Sequence, residues 1–337
     1  MRASLSVVIP VYNEEAGLQA LYDRLYPALD QLDRQYEVVF VDDGSSDRSV
    51  ALLREQFQKR PDVTRVVVLA RNAGQHMAIL AGFAQTRGDY VVTLDADLQN
   101  PPEEIAKIIA AMDDGADYVG TIRARRHDVY WRKAASRLMN RIRERTTQIS
   151  ITDQGCMLRG YHRNIVEAIN RCLEVSTYVP ALGYTFARHP IEIEVAHAHR
   201  QAGQSKYSLY RLIRLNFDLM TGFSVAPLQF FTMAGTALAL LSLLFVCFLA
   251  IRRLVVGPEA EGVFTLFGIA FFLIGVLLVG LGVVGEYVGR IYEQVRQRPR
   301  YTVAAVLEEG GQEPIQRLRL SQAELVERGA RSVGGAE

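Results

Sequence analysis

At 337 residues, with 49% apolar and 22% charged side chains, the chain is long enough for more than one structural unit and is neither disordered nor collagen-like. Its three cysteines, Cys156, Cys172 and Cys247, share no C-x-x-C spacing, which argues against a disulfide framework or a zinc ribbon. The net charge of +1 hides an acidic, a basic and a neutral third: residues 1–120 carry 11 Lys/Arg against 19 Asp/Glu, residues 121–225 carry 17 against 8, and residues 226–337 carry 10 of each, so distinct partners are expected.

No secretory signal is expected at the start, where Met1 to Ser4 lead straight into an apolar strand pattern. From there short β-branched runs alternate with helical patterns. LSVVIPV (5–11), YEVVFV (36–41), RVVVL (65–69), YVVTLD (90–95) and DYVGT (117–121) read as buried parallel strands, with helices near 14–33, 47–60, 75–87 and 102–114 between them. This alternation predicts a doubly wound α/β sheet, a fold whose ligands bind beyond the carboxyl ends of the strands.

Polar clusters fall at those ends: PVYNE (10–14), DDGSSD (42–47), RNAGQ (71–75) and LDADLQNPP (94–102). Local roles account for some of them, with Asp47 as a helix N-cap, Gly44 as a turn residue and Pro102 as a helix start. They do not account for Asp95 beside Asp97, where two like charges repel. A divalent cation, Mg²⁺ or Mn²⁺, removes that repulsion and keeps open positions for a substrate diphosphate.

In the basic third, Trp131, Ala135, Leu138 and Ile142 recur at helical spacing among Arg132, Lys133, Arg137, Arg141 and Arg143. A helix over about 128–146 is either interfacial, with arginines on lipid phosphates, or an ordinary helix with a solvated basic face; the apolar runs that follow favour the bilayer. A second interfacial helix is expected over about 207–223, after a mobile clasp containing Gly203, Ser205 and Lys206. Nucleic acid is the competing anion, but no recognition-helix or stacking motif accompanies these arginines, so it is not taken as a partner.

Two 24-residue runs without a charge, Leu228 to Ile251 and Gly262 to Gly285, complete the pattern. As helices each reaches about 36 Å, enough to cross a hydrocarbon core of about 30 Å. Arg211 and Arg214 precede them and Arg290, Arg296, Arg298 and Arg300 follow. The loop arginines Arg252 and Arg253 are partly countered by Glu259 and Glu261, so both termini are expected on the cytoplasmic side. The expected organisation is a cytoplasmic α/β domain over 1–225, two spans within 226–290, and a cytoplasmic tail over 291–337 that gives no chemical signal after Val306. Gly285 and Gly289 form a small-xxx-small pair that allows a homo-oligomer.

The segments VVIPVYNE, VDDGSSD and LDADLQNPP resemble the inverting glycosyltransferases of family 2, which implies a nucleotide-sugar-binding GT-A fold over about residues 4–210. The two apolar runs and GEYVGRIYEQVRQRPRY (285–301) extend the resemblance to polyprenyl-phosphate glycosyltransferases over nearly the whole chain. RNAGQHMAILAGF, RKAASRLMNRIRERTT, DQGCMLRGYHR and AEGVFTLF are similar to the branch that transfers 4-deoxy-4-formamido-L-arabinose from UDP to undecaprenyl phosphate; glucose and mannose transferases of the family are the alternative. This resemblance implies a multi-pass protein of the bacterial inner membrane, serving lipid A modification and resistance to cationic antimicrobial peptides such as polymyxin.

The same resemblance implies that Pro10, Tyr12 and Glu14 contact the nucleoside, that Asp43 with Arg71 reads the uracil edge, that Asp95 and Asp97 hold the cation, and that the region of Lys206 closes on the diphosphate. Arg123 and Arg132 are candidates for gripping the acceptor phosphate, since guanidinium binds phosphate bidentately. Asp153 is the candidate base or sugar-orienting carboxylate. Many relatives read approximately D-x-G-D-F-R here, whereas this chain reads DQGCMLR (153–159), with Cys156 where the second acid would stand. Cys156 is read as a small buried residue, no histidine is given a catalytic role, and His76 is expected to cap or pack near the crevice.

Overall fold

The computed structural model describes residues 4–123, 151–153, 155–172, 178–196, 225–256, 263–296 and 298–310, which fall into two units. The basic segments about 128–146 and 207–223, with Arg132 and Lys206, lie outside the described residues.

The first unit is built on a sheet. All five expected strands form: β1 (Leu5–Val11), β2 (Tyr36–Asp42), β3 (Thr64–Leu69), β4 (Tyr90–Thr93) and β5 (Tyr118–Arg123). The helices between them are α1 (Leu18–Asp30), α2 (Ser49–Lys59), α3 (Gln75–Phe83) and α4 (Ile105–Asp113), the last entered through a 3₁₀ turn with Pro102 at its first position. Beyond these come β6 (Arg159–His162), α5 (Arg163–Arg171), α6 (Val179–Phe186), β7 (Pro190–Val195) and, near the C-terminus, β8 (Val303–Leu307).

The strand order is β7-β5-β6-β4-β1-β2-β3-β8. β1 pairs in parallel with β2 and β4, β2 with β3 and β5 with β7, while β6 and β8 run against their neighbours. The sheet is therefore mixed rather than wholly parallel. Pro10 costs no ladder bond, because the β1–β4 pairing ends at Val8↔Thr93, two residues before it.

Alternation along the strands feeds a core on each face. Leu5, Val7, Ile9 and Val11 of β1 pack with Val38 and Phe40 of β2 against α1, α2 and α4. The apolar residues of α1 recur every three or four positions (Leu18, Leu21, Tyr22, Leu25, Tyr26, Leu29), and all are buried. Tyr22 meets the Phe40 ring edge-on at 5.6 Å. On the other face α3 comes so close at Gly82 that an added Cβ would lie 2.4 Å from Val8 and 3.1 Å from Val41. Each fully buried aliphatic side chain contributes roughly 1.5–3 kcal/mol, which secures the strand ends that carry the polar clusters.

The C-terminal tail, for which no strand was expected, contributes β8, whose register is Val66↔Leu307 to Leu69↔Val303. Just past it, the Glu308 carboxylate meets Arg65 at 3.2 Å and Arg87 at 2.7 Å, and Arg65 also meets Glu37 at 3.0 Å.

The second unit contains two long helices, α7 (Ala226–Val256, 31 residues) and α8 (Val263–Val295, 33 residues). Both run past the ends expected from the apolar runs. Gly280 seats the Phe231 ring, so closely that a Cβ there would lie 1.8 Å from it. Large apolar side chains stand exposed on both, among them Phe230, Leu244 and Leu254 on α7 and Phe271, Leu277 and Ile291 on α8. Among the described residues one segment, Ile269–Val295, is long and apolar enough to cross a membrane, and α7 contributes a shorter apolar stretch, Leu228–Leu238. Exposed apolar surface of this kind marks a membrane or protein interaction site.

Candidate functional site

Strand order reverses between β1 and β4, and the crevice beyond their carboxyl ends is where open α/β sheets bind ligands. The loops after β1 and β2 are laced together there. Ser45 Oγ accepts the Asn13 N–H at 2.9 Å, Asn13 Oδ1 accepts the Ser46 N–H at 2.8 Å, and Ser49 Oγ accepts the Glu14 N–H at 3.0 Å. The cap position of α2 is Arg48 rather than Asp47, but Asp47 one residue earlier still serves the start of the helix: one oxygen accepts the Ser49 N–H (2.9 Å), the other the Glu15 N–H (3.2 Å). Pro10 and Glu14 are partly buried, whereas Tyr12 is 49% exposed and Arg71 lies on the surface.

Asp43 stands differently from a free base-reading carboxylate. It is 2% exposed, and its two oxygens accept the backbone N–H groups of Ala73 (2.7 Å) and Gly74 (2.9 Å). Burial raises its affinity for a proton, and those two hydrogen bonds oppose the rise. Asp42 turns the chain instead, with Oδ2 accepting from Gly44 and Ser45 at 3.1 Å each. Gly44 has φ +70°, and a Cβ on it would lie 2.6 Å from the Asn72 nitrogen, so only glycine fits between these loops.

The two aspartates after β4 are each held by one oxygen. Asp95 Oδ1 accepts from Gln75 Nε2 at 2.6 Å, and Asp97 Oδ1 accepts the Gln99 N–H at 3.1 Å in a turn where Leu98 has φ +58°. The Oδ2 atoms have no hydrogen-bond partner among the described residues. Burial first, and the Asp97 charge second, push the Asp95 carboxyl up to about 7. Two neighbouring carboxylates with one open oxygen apiece fit a divalent cation, whose charge would offset both effects. Among the described residues no group of three or more His, Cys, Asp or Glu is placed to hold a metal.

At the end of β5 the structure joins two candidates assigned separate roles in the sequence. Arg123 donates to both oxygens of Asp153, Nε to Oδ2 at 2.6 Å and Nη2 to Oδ1 at 2.8 Å. Asp153 is 1% exposed, and its Oδ1 also accepts the Gly155 N–H at 3.1 Å. Behind this turn lies Arg159, fully buried and without an ion pair among the described residues. It donates Nη2 to the Asp153 carbonyl (2.6 Å), Nε to the Cys156 carbonyl (2.9 Å) and Nη1 to the Tyr118 hydroxyl (2.6 Å). Cys156 is buried as expected, its Sγ 2.9 Å from Thr121 Oγ1 and 3.4 Å from Asn100 Oδ1.

His76 packs edge-on against Tyr178 with ring centres 5.1 Å apart. Burial, and secondarily Arg159, lower its pKa to about 4, so it is neutral at physiological pH. Gln75 and Arg159 received no role from the sequence, although the first closes the RNAGQ cluster and the second ends the DQGCMLR segment.

A model of the glycosyl transferase family 2 matches residues 6–169. The chain is 51% identical over 305 residues to an undecaprenyl-phosphate 4-deoxy-4-formamido-L-arabinose transferase of Edwardsiella ictaluri, covering 90% of this chain and 94% of that protein. Against the transferase of the same name from Serratia proteamaculans it is 50% identical over 307 residues, again covering 90% and 94%. Among solved structures, glucosyl-3-phosphoglycerate synthase from Mycobacterium tuberculosis in complex with Mn²⁺, UDP and glucosyl-3-phosphoglycerate is similar with a TM-score of 0.45 and 18% identity, covering 65% of this chain and 78% of that one.

Proposed function

The chain belongs to glycosyltransferase family 2, in company with undecaprenyl-phosphate 4-deoxy-4-formamido-L-arabinose transferases, and from that membership we propose that it moves this sugar from UDP to undecaprenyl phosphate in one inverting displacement. The observation that carries the site is the Asp95/Asp97 pair at the strand-order reversal, each aspartate fixed by one oxygen and open at the other. A divalent cation held there, Mg²⁺ or Mn²⁺, would neutralise charge on the departing nucleotide.

The other assignments follow from the family resemblance, by which Pro10, Tyr12 and Glu14 would line the nucleoside end of the crevice and Arg71 would reach the base. Asp43 shapes that end by fixing the Ala73–Gly74 backbone. The acceptor is a phosphate monoester with a second pKa near 6, so it is largely a dianion at neutral pH and needs orientation more than deprotonation. Asp153 fits that requirement. With both oxygens accepting from Arg123 it is a poor base but a firm anchor, and it aims the guanidinium that grips the acceptor phosphate. Arg132 would share that grip, and Lys206 would close on the donor diphosphate.

We read α7 and α8 as two membrane spans with both termini on the cytoplasmic side, supported by their length and exposed apolar side chains. They would anchor the enzyme in the inner membrane beside its lipid acceptor, and the product would serve lipid A modification.

The test uses purified full-length protein, undecaprenyl phosphate and labelled UDP-sugars. Transfer of 4-deoxy-4-formamido-L-arabinose is expected, lost in Asp97→Asn while membrane insertion is retained. Efficient glucose or mannose transfer with none of the formamido sugar overturns the donor assignment. Undiminished turnover by Asp97→Asn overturns the aspartate pair.

A further inference from the structure

The five residues Arg71–Gln75 tie the two ends of the crevice together. On one side the Gly44 backbone lies against Arg71 and Asn72, and the Asp43 carboxylate holds the N–H groups of Ala73 and Gly74 at 2.7 and 2.9 Å. On the other side the next residue, Gln75, opens α3 and donates its amide to Asp95 Oδ1 at 2.6 Å. Among the described residues no other side chain hydrogen-bonds to either aspartate of the pair. Two successive backbone groups are thus pinned to Asp43, the residue that follows β2, immediately before the side chain that grips the far carboxylate, so the strap has little slack.

We propose that Gln75 is a positioning residue: it holds Asp95 by Oδ1 so that Oδ2 is presented to the cation, and it links that presentation to occupancy of the nucleoside end of the crevice. The inference rests on the reading of Asp95 and Asp97 as the cation site for a UDP-sugar. An amide suits the task because it donates without carrying charge. An ammonium would cancel the carboxylate that the cation needs, and a second carboxylate would repel it. Because coupling between two sites is reciprocal, a nucleoside that steadies the strap tightens the cation, and the cation tightens the nucleoside by the same factor.

The experiment measures Mn²⁺ binding to the full-length protein in detergent by electron paramagnetic resonance, without donor sugar. Gln75→Ala raises the Mn²⁺ dissociation constant about tenfold, the loss expected for one hydrogen bond to a charged group. Uridine, which has no phosphate with which to touch the cation, is then titrated. It tightens Mn²⁺ severalfold in the unaltered protein and has no effect on Mn²⁺ in Gln75→Ala. Gln75 is exposed, so the melting temperature stays within about a degree, and a purely structural role would not remove the coupling. A Mn²⁺ dissociation constant within twofold of the original overturns the proposal, as does coupling that is absent from the unaltered protein or survives in the variant. Mn²⁺ that fails to bind the unaltered chain, or binds Asp97→Asn equally well, overturns the cation-site reading instead.

Discussion

Arg123→Ala should destabilise the sheet unit more than Asp153→Asn, although the two residues share one ion pair. Asp153 is 1% exposed, and removing the guanidinium leaves a carboxylate in the interior without its two charged hydrogen bonds of 2.6 and 2.8 Å. Breaking a buried pair from one side costs about 3–5 kcal/mol. The Arg123 side chain is 21% exposed, which lets water reach the gap and favours the low end, about 3 kcal/mol. Asp153→Asn is milder. The amide keeps an acceptor for the Gly155 N–H, and the partly exposed guanidinium can turn to water, so the cost is about 1–2 kcal/mol. Arg159 steadies the turn in both variants, because it binds the carbonyls of residues 153 and 156.

The assay is thermal unfolding of the full-length protein in detergent, followed by circular dichroism. For a unit of this size about 3 kcal/mol corresponds to a loss of roughly 6–12 °C, and the milder variant should lose about half as much or less. The double variant should fall short of the sum, since once the charge is gone the guanidinium has less to contribute. Asp153→Asn at least as damaging as Arg123→Ala would refute the reasoning, because the buried charge would not then be the one that needs its partner.

Two titrations should oppose each other in the metal-free protein. Asp95, raised from 3.8 to about 7, binds a proton more tightly when folded; its contribution is full below about pH 4 and is lost as pH rises to 7. His76, lowered from 6.5 to about 4, contributes fully above pH 6.5, and that contribution is lost as pH falls toward 4. Urea midpoints between pH 4 and 7.5 in chelator should therefore drop more steeply with acid in Asp95→Asn, and fall with rising pH in His76→Phe; three identical profiles would remove both assignments. Truncation after Arg300 removes β8 and bares the β3 edge, so light scattering should show aggregation. Glu308→Gln, which leaves Arg65 its bond to Glu37, should cost only about 1 kcal/mol. A monomeric truncated protein with an unchanged melting point would show that β8 does not hold the edge.

The central strands were legible because their signal is local. LSVVIPV and YEVVFV are β-branched runs bounded by polar loops, and each became a strand within a residue of its expected ends. Asp95 and Asp97 were legible for a similar reason, being two acids too close together for an ordinary strand end. β6 was not, because RGYH offers neither alternation nor a β-branched run, and Arg159 at its head would not be placed in a core by its type. β8 had a signal, the run VAAVL, but its partner β3 lies more than 230 residues earlier and nothing nearby pointed to it.

The functional side chains divide along the same line. Family resemblance and place in the motifs made Asp43, Arg123 and Asp153 candidates, yet each is held by a partner 30 residues away: the Ala73 N–H for Asp43, and Arg123 and Asp153 for one another. A carboxylate alone at a strand end is a candidate ligand or base, whereas one with both oxygens hydrogen-bonded is fixed in place and offers only its remaining lone pairs, in set directions. On the proposed reading, Asp43 therefore fixes the loop that leads to Gln75, and Asp153 acts as an anchor rather than a base. Since a phosphate dianion needs little deprotonation, the proposed role of Arg123 at the acceptor would not call for a free base beside it, as a sugar hydroxyl would.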